Sequence, residues 1–223
     1  MSAAGSGSDS RAALEFLCRS YWMPLYVYAR RCESNAHDAQ DLTQAFFERL
    51  LEKGFLAEAD QNRGRFRSFL LTSFRHFLSN EWDRKRTLKR GGGQQILSLD
   101  FDAGEALHES CGTTDSDAET AFERNWAEAV LARVLNRLER EQERAGKAHQ
   151  FSVLRSFIAG RAEQDSLSSV AADLGLTDAA ARMAVSRLRQ RYRDILRSEI
   201  AETVNSADDI DDEIRHLFTV FAG

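Results

Sequence analysis

The sequence predicts an all-α fold of two small helical domains joined by a flexible acidic linker. One proline stands in 223 residues, and the longest stretches are rich in Ala, Leu, Arg, Glu and Gln, which favour helix and lack the β-branched runs of strands. Apolar residues recur three to four positions apart in several windows, the spacing of a helix with one buried side. Gly91, Gly92 and Gly93 open a stretch weak in periodicity and rich in acid, which separates two groups of such windows. The expected divisions are a disordered N-terminus at 1–10, a first helical domain at 11–90, the linker at 91–120, a second helical domain at 121–200, and an acidic extension with a short amphipathic helix at 201–223.

In the first domain Leu14, Phe16, Leu17, Tyr21, Leu25, Tyr28 and Ala29 form one apolar stripe, which Pro24 is expected to kink or to split into two helices, because its ring clashes with the preceding turn. Ser34 and Asn35 offer N-cap chemistry for a second helix through Asp38 to Lys53, with Leu42, Phe46, Leu50 and Leu51 inward and Gly54 as its stop. A third helix from Arg65 to about Lys89 lines Phe66, Phe69, Leu70, Phe74, Phe77, Leu78 and Trp82 along one side. Beyond the linker, Phe122, Trp126, Val130, Val134 and Leu138 mark an amphipathic helix from Ala121 that Gly146 closes, and a short helix follows over Phe151 to Ala159. Leu167, Val170, Ala171 and Leu174 then predict a short helix, a tight turn at Gly175-Leu176-Thr177, and a longer helix from Asp178. In the extension, Ile210, Ile214, Leu217, Phe218 and Phe221 again repeat at helical spacing.

Charge is segregated. The net charge is -5, yet Arg63 to Arg90 holds nine basic residues against Glu81 and Asp83, and Asp178 to Arg197 holds six arginines against Asp178 and Asp194. Ser98 to Glu128 holds nine acids against Arg124 alone. Two basic islands in acidic surroundings suit a nucleic-acid partner better than the net charge suggests. No window is apolar enough to span a membrane, and residues 1–10 lack the apolar core of a signal peptide, so the expected location is cytoplasmic, without membrane insertion. Cys18, Cys32 and Cys111 fit neither a disulfide framework nor a metal spacing, and His108 with Cys111 lacks any CxxC or HxxxC pair. Asp38 and Asp41 share a helix face, with His37 adjacent, but no third acid/base group stands at suitable spacing, so neither catalysis, a metal nor a cofactor is expected.

The two islands differ in character. A helix, tight turn and second helix bearing Arg182, Arg187, Arg189, Arg191 and Arg193 fit the major groove of duplex DNA. Val185, Leu188, Tyr192 and Ile195 form its inward side, with Arg182, Ser186 and Arg189 outward; the alternative is an αα-hairpin with a solvated arginine face. In the first domain, aromatics alternate with cations at Phe66, Arg67, Phe69, Phe74, Arg75, His76, Phe77, Trp82 and Arg84. That mixture suits single-stranded or distorted DNA, although at helical spacing most of these phenylalanines belong to a core.

Together these residues resemble the extracytoplasmic-function sigma factors of bacterial RNA polymerase, within the sigma-seventy superfamily. Asp38-Ala39-Gln40-Asp41-Leu42-Thr43-Gln44-Ala45-Phe46-Phe47 is similar to that family's region-two motif, with Gln40 where a second acid is usual. Arg65-Phe66-Arg67-Ser68-Phe69-Leu70-Leu71 and Asn80-Glu81-Trp82-Asp83-Arg84-Lys85-Arg86 resemble its promoter-melting and minus-ten segments, and Val170-Ala171-Ala172-Asp173-Leu174-Gly175-Leu176 with the arginine helix resembles its region four. The likeness runs from about residue 11 to 197 in the family's order. It implies a promoter-specificity subunit whose partners are core RNA polymerase and promoter DNA. Asp38, Asp41, Leu42, Gln44 and Phe46 would serve core binding, the polar three as contacts and the apolar two as packing; Arg75, Asn80, Trp82, Arg84, Lys85 and Arg86 the minus-ten region; and Arg182, Ser186, Arg187, Arg189 and Arg191 the minus-thirty-five element. The acidic linker would thread the polymerase, and the extension would cap region four or bind polymerase or a regulator such as an anti-sigma factor. The competing function is a stand-alone helix-turn-helix regulator that binds operators without polymerase.

Overall fold

The structure is a computed structural model, which describes residues 5–33, 35–52, 66–87, 104, 117–158, 165–204 and 206–221. Among these residues eight helices and no strand occur: α1 (Gly5–Cys32), α2 (Ala36–Glu52), α3 (Phe66–Thr87), α4 (Ala118–Arg144), α5 (Ala148–Ile158), α6 (Asp165–Asp173), α7 (Asp178–Ala201) and α8 (Ala207–Thr219). The all-α fold class is as the sequence predicts. Packing divides the chain into two compact units, one of residues 1–129 with 203–223, the other of residues 130–202. This partition differs from the one that composition suggests: the boundary falls inside α4, and the extension belongs to the first unit.

Residues 5–10, expected to be disordered, are the first turns of α1, and α1 runs through Pro24 as one helix. A proline within a helix costs about 3 kcal/mol. Here it sits amid buried Tyr21, Leu25, Tyr26, Val27 and Ala29, and tertiary burial of an apolar face outweighs that local cost.

The first unit is built on an aromatic centre. Asn35 begins α2 as expected, its Oδ1 accepting from the His37 backbone N–H at 2.9 Å. α2 packs between α1 and α3, and Phe46 meets Phe74 edge-on with ring centroids 4.9 Å apart. Phe47, Phe77, Leu42, Leu50, Leu70 and Leu78 complete the core. Gly54 and the Leu51 side chain lie outside the described residues. One residue of the expected exposed linker, Gly104, is buried: a Cβ there would stand 2.6 Å from the Tyr26 ring, so only hydrogen fits.

The extension contributes α8, whose N-cap Ser206 accepts from the Asp209 N–H. Glu213 and Leu217 are buried, while Phe218 and Phe221, read as part of the same apolar stripe, are exposed. Arg67, one of the cations of the first basic island, is buried at 3 % exposure. Its Nε donates to Glu213 Oε1 at 2.9 Å, its Nη1 pairs with Glu123, and its guanidinium lies 4.7 Å from the Trp126 ring centroid. Glu123 also pairs with His216 Nε2 at 3.0 Å. A buried guanidinium must be met on most of its N–H groups, and α3, α4 and α8 together do so.

In the second unit α7 packs against α5 and α6. Val130, Val134 and Leu138 of α4, Phe151, Leu154 and Phe157 of α5, and Val185, Leu188, Ile195 and Leu196 of α7 form its core. The buried Glu199 of α7 accepts from Arg133 and Arg137 of α4 at 3.5 and 3.2 Å.

Candidate nucleic-acid and polymerase interfaces

The turn between α6 and α7 follows from two residues. Gly175 takes φ +64°, a left-handed conformation that side chains resist. The Gly175 and Leu176 N–H groups bond back to the Ala172 and Ala171 carbonyls, the pairing that closes a helix C-terminus. Thr177 then caps α7, its Oγ1 accepting from the Ala180 N–H at 3.2 Å. Small Ala171 and Ala181 are buried where the two helices belong to one core. The result is the helix, turn and helix that the sequence predicts.

α7 sorts its arginines into distinct environments. Arg182, Ser186 and Arg187 are exposed beside Met183, and no ion pair engages Arg182 or Arg187 among the described residues. Arg189 is exposed by surface, yet its Nε and Nη2 both donate to the Phe157 carbonyl, at 3.1 and 2.8 Å. That carbonyl lies in the last described turn of α5. Arg191 forms a two-pronged pair with Glu141 at 2.7 and 2.8 Å. The hydrogen bond from Arg191 holds the Glu141 carboxyl below its ordinary range and raises the guanidinium in turn. Of the five residues that sequence places on the minus-thirty-five element, three are therefore free at the N-terminal half of α7, and two brace it against α5 and α4.

On α3, Arg75, Asn80 and Arg84 are exposed and Trp82 is half-buried; Arg75 pairs with Glu119 of α4, and Arg84 stands 3.7 Å from Glu81. The Lys85 and Arg86 side chains lie outside the described residues. On α2, Asp41 is exposed with His37 at 3.8 Å, Asp38 is half-exposed, and Gln44 donates to Glu48 at 3.1 Å. Leu42 and Phe46 sit in the core, turned away from Asp41 and Gln44, while Asp38, one turn before Leu42, lies at the edge of the buried face. The polar stripe of α2 is thus an acidic, solvent-facing edge held by an apolar one.

Among the described residues no group of three or more His, Cys, Asp or Glu could hold a metal ion, and no helix is long and apolar enough to cross a membrane. Cys18, buried, and Cys32, exposed, are in no disulfide among the described residues, and Cys111 lies outside them. Arg67 and its carboxylates are the group that sequence reading missed.

Residues 17–87 match the family model Sigma-70 region 2. No curated protein and no solved structure matches the chain. The matched segment spans α1 from Leu17, α2 and α3, the helices that carry the acidic edge and the basic, aromatic helix. This likeness to a sigma-70 region 2 covers about a third of the chain and does not extend to the second unit.

Proposed function

We propose that the protein is a sigma factor of extracytoplasmic-function type, which binds core RNA polymerase in the cytoplasm and directs it to promoters. In this reading residues 11–90 are region two and residues 121–200 are region four. Asp38, Asp41 and Gln44 meet the polymerase, with Leu42 and Phe46 shaping the helix behind them. Arg75, Asn80, Trp82, Arg84, Lys85 and Arg86 hold the opened minus-ten region, and Arg182, Ser186 and Arg187 bind the minus-thirty-five element. The observation that carries the reading is the sigma-70 region 2 match together with a second helical unit whose Thr177-capped helix presents Arg182 and Arg187 unpaired. Cations without internal partners at the N-terminal half of such a helix are placed to reach base edges or the phosphates beside them. Gln40 in the region-two motif removes one ion pair at a rim, worth about 0–1 kcal/mol, and leaves core binding in place. A regulator such as an anti-sigma factor would find Phe218 and Phe221 exposed on α8.

The test is transcription in vitro from promoter-bearing DNA with purified core polymerase. A promoter-dependent transcript that requires the protein is expected. Absence of both transcript and core complex overturns the reading, and tight sequence-specific binding without polymerase would favour a stand-alone regulator.

A further inference from the structure

The second unit contains a groove of about 380 Å³, lined on one side by Ala180, Ala184, Arg187 and Arg191 of α7 and on the other by Lys147 and Gln150 at the start of α5. Its floor includes Phe151, Leu176 and Leu188. The α7 residues fall at successive turns of one stripe, adjacent to the exposed Arg182 and Ser186 but distinct from them. Ala180 and Ala184 leave that stripe low, so a ligand can come close to the helix.

The electrostatics of the groove are unbalanced. Three cations converge on it, and the one carboxylate that pairs among them, Glu141, is committed to Arg191. Arg187 and Lys147 meet no acid among the described residues. Gly146, at φ +70°, turns the chain sharply between α4 and α5 and sets Lys147 at the rim. The Lys147 backbone N–H is used by the Gln142 carbonyl, and the Phe151 N–H by the Lys147 carbonyl, so the turn holds its shape without a ligand. Gln142 and Gln150 add amide donors. Fixed cations and amides above an apolar floor recognise a phosphate oxygen, which needs charge and several N–H donors at once.

We propose that this groove is a phosphodiester site, in which Lys147, Gln150 and Arg187 hold backbone phosphate of duplex DNA beside the bases that α7 faces. The inference rests on the promoter-binding reading for its location on DNA, and it adds Lys147 and Gln150 as positioning residues that make no base contact. A phosphate contact acts on every sequence alike, whereas a base contact acts on one.

The experiment measures binding of full-length protein to a random-sequence duplex, and of its complex with core polymerase to promoter DNA, across a salt series. Lys147→Ala should weaken both by the same factor and make the salt dependence shallower by about one unit in log–log slope. Arg182→Ala should instead change the ratio between promoter and random duplex. Unchanged affinity and slope in Lys147→Ala, with helicity retained by circular dichroism, overturns the proposal. A mononucleotide or inorganic phosphate that binds in a Lys147-dependent way, while duplex binding ignores Lys147, overturns the assignment to DNA. If the random duplex depends on Lys147 but no promoter complex forms with core polymerase, the phosphate site stands and the sigma-factor reading falls.

Discussion

At Arg67 a guanidinium survives almost out of reach of water because two carboxylates and an indole surround it. Arg67→Ala removes the guanidinium that pairs with Glu213, 1 % exposed, and with Glu123, and unfolding in urea should show a loss of about 3–5 kcal/mol. Replacing Arg67 and Glu213 together by Met and Leu should recover most of that loss, since a buried pair adds little over packed apolar groups. Gly104→Ala pushes a methyl into the Tyr26 ring and should cost about 1–3 kcal/mol in the same measurement. The burial of Arg67 is not legible locally, because its neighbourhood is basic and its acids are 56 and 146 residues away. One signal for Glu213 was local: it falls between Ile210, Ile214 and Leu217, on the stripe of α8 that turns inward.

Among the elements, α7 was the most legible, since Gly175, Thr177 and the apolar spacing of Val185, Leu188 and Ile195 are local facts, and each holds its expected place. Thr177→Ala removes the cap and should cost about 1 kcal/mol in thermal unfolding. If Arg182 makes a paired contact to a base, Arg182→Ala should lose about 1–3 kcal/mol of discrimination at that base pair, read by competition between promoter variants. What the sequence did not disclose is that Arg189 and Arg191 turn to the Phe157 carbonyl and Glu141. Arginines repeat along α7 without any mark of which meets a helix end or a carboxylate from another helix. The pair with Glu141 also sets a pH dependence. A carboxyl whose folded pKa lies below its unfolded value adds stability above the unfolded pKa, about 4.3, and loses it as pH falls through the folded one. Melting temperatures of wild type and Glu141→Gln should therefore differ at neutral pH and converge in strong acid. α1 adds a second lesson, for Pro24 reads locally as a kink or a split, and with burial on both sides of it the helix is not split.

For the whole molecule, composition separates basic from acidic stretches, while packing separates residues 130–202 from the rest and brings 203–223 back to the first unit. The sequence displayed the two helical groups but not this return, because α8 is joined to α3 through Arg67 and through the Phe66 N–H bond to the Thr203 carbonyl, contacts that span more than half the chain. Deleting 203–223 should consequently lower the unfolding midpoint of the first unit, with faster amide exchange in α3 near Arg67 than in α7. During synthesis this order of segments has a temporal cost. At about 5–20 residues per second, the ribosome makes Glu213 roughly 7–30 s after Arg67, from a separation of 146 residues. Nascent chains stalled in that interval carry the three amino-proximal helices with an unsealed flank, and they are the species a chaperone or a protease would meet first.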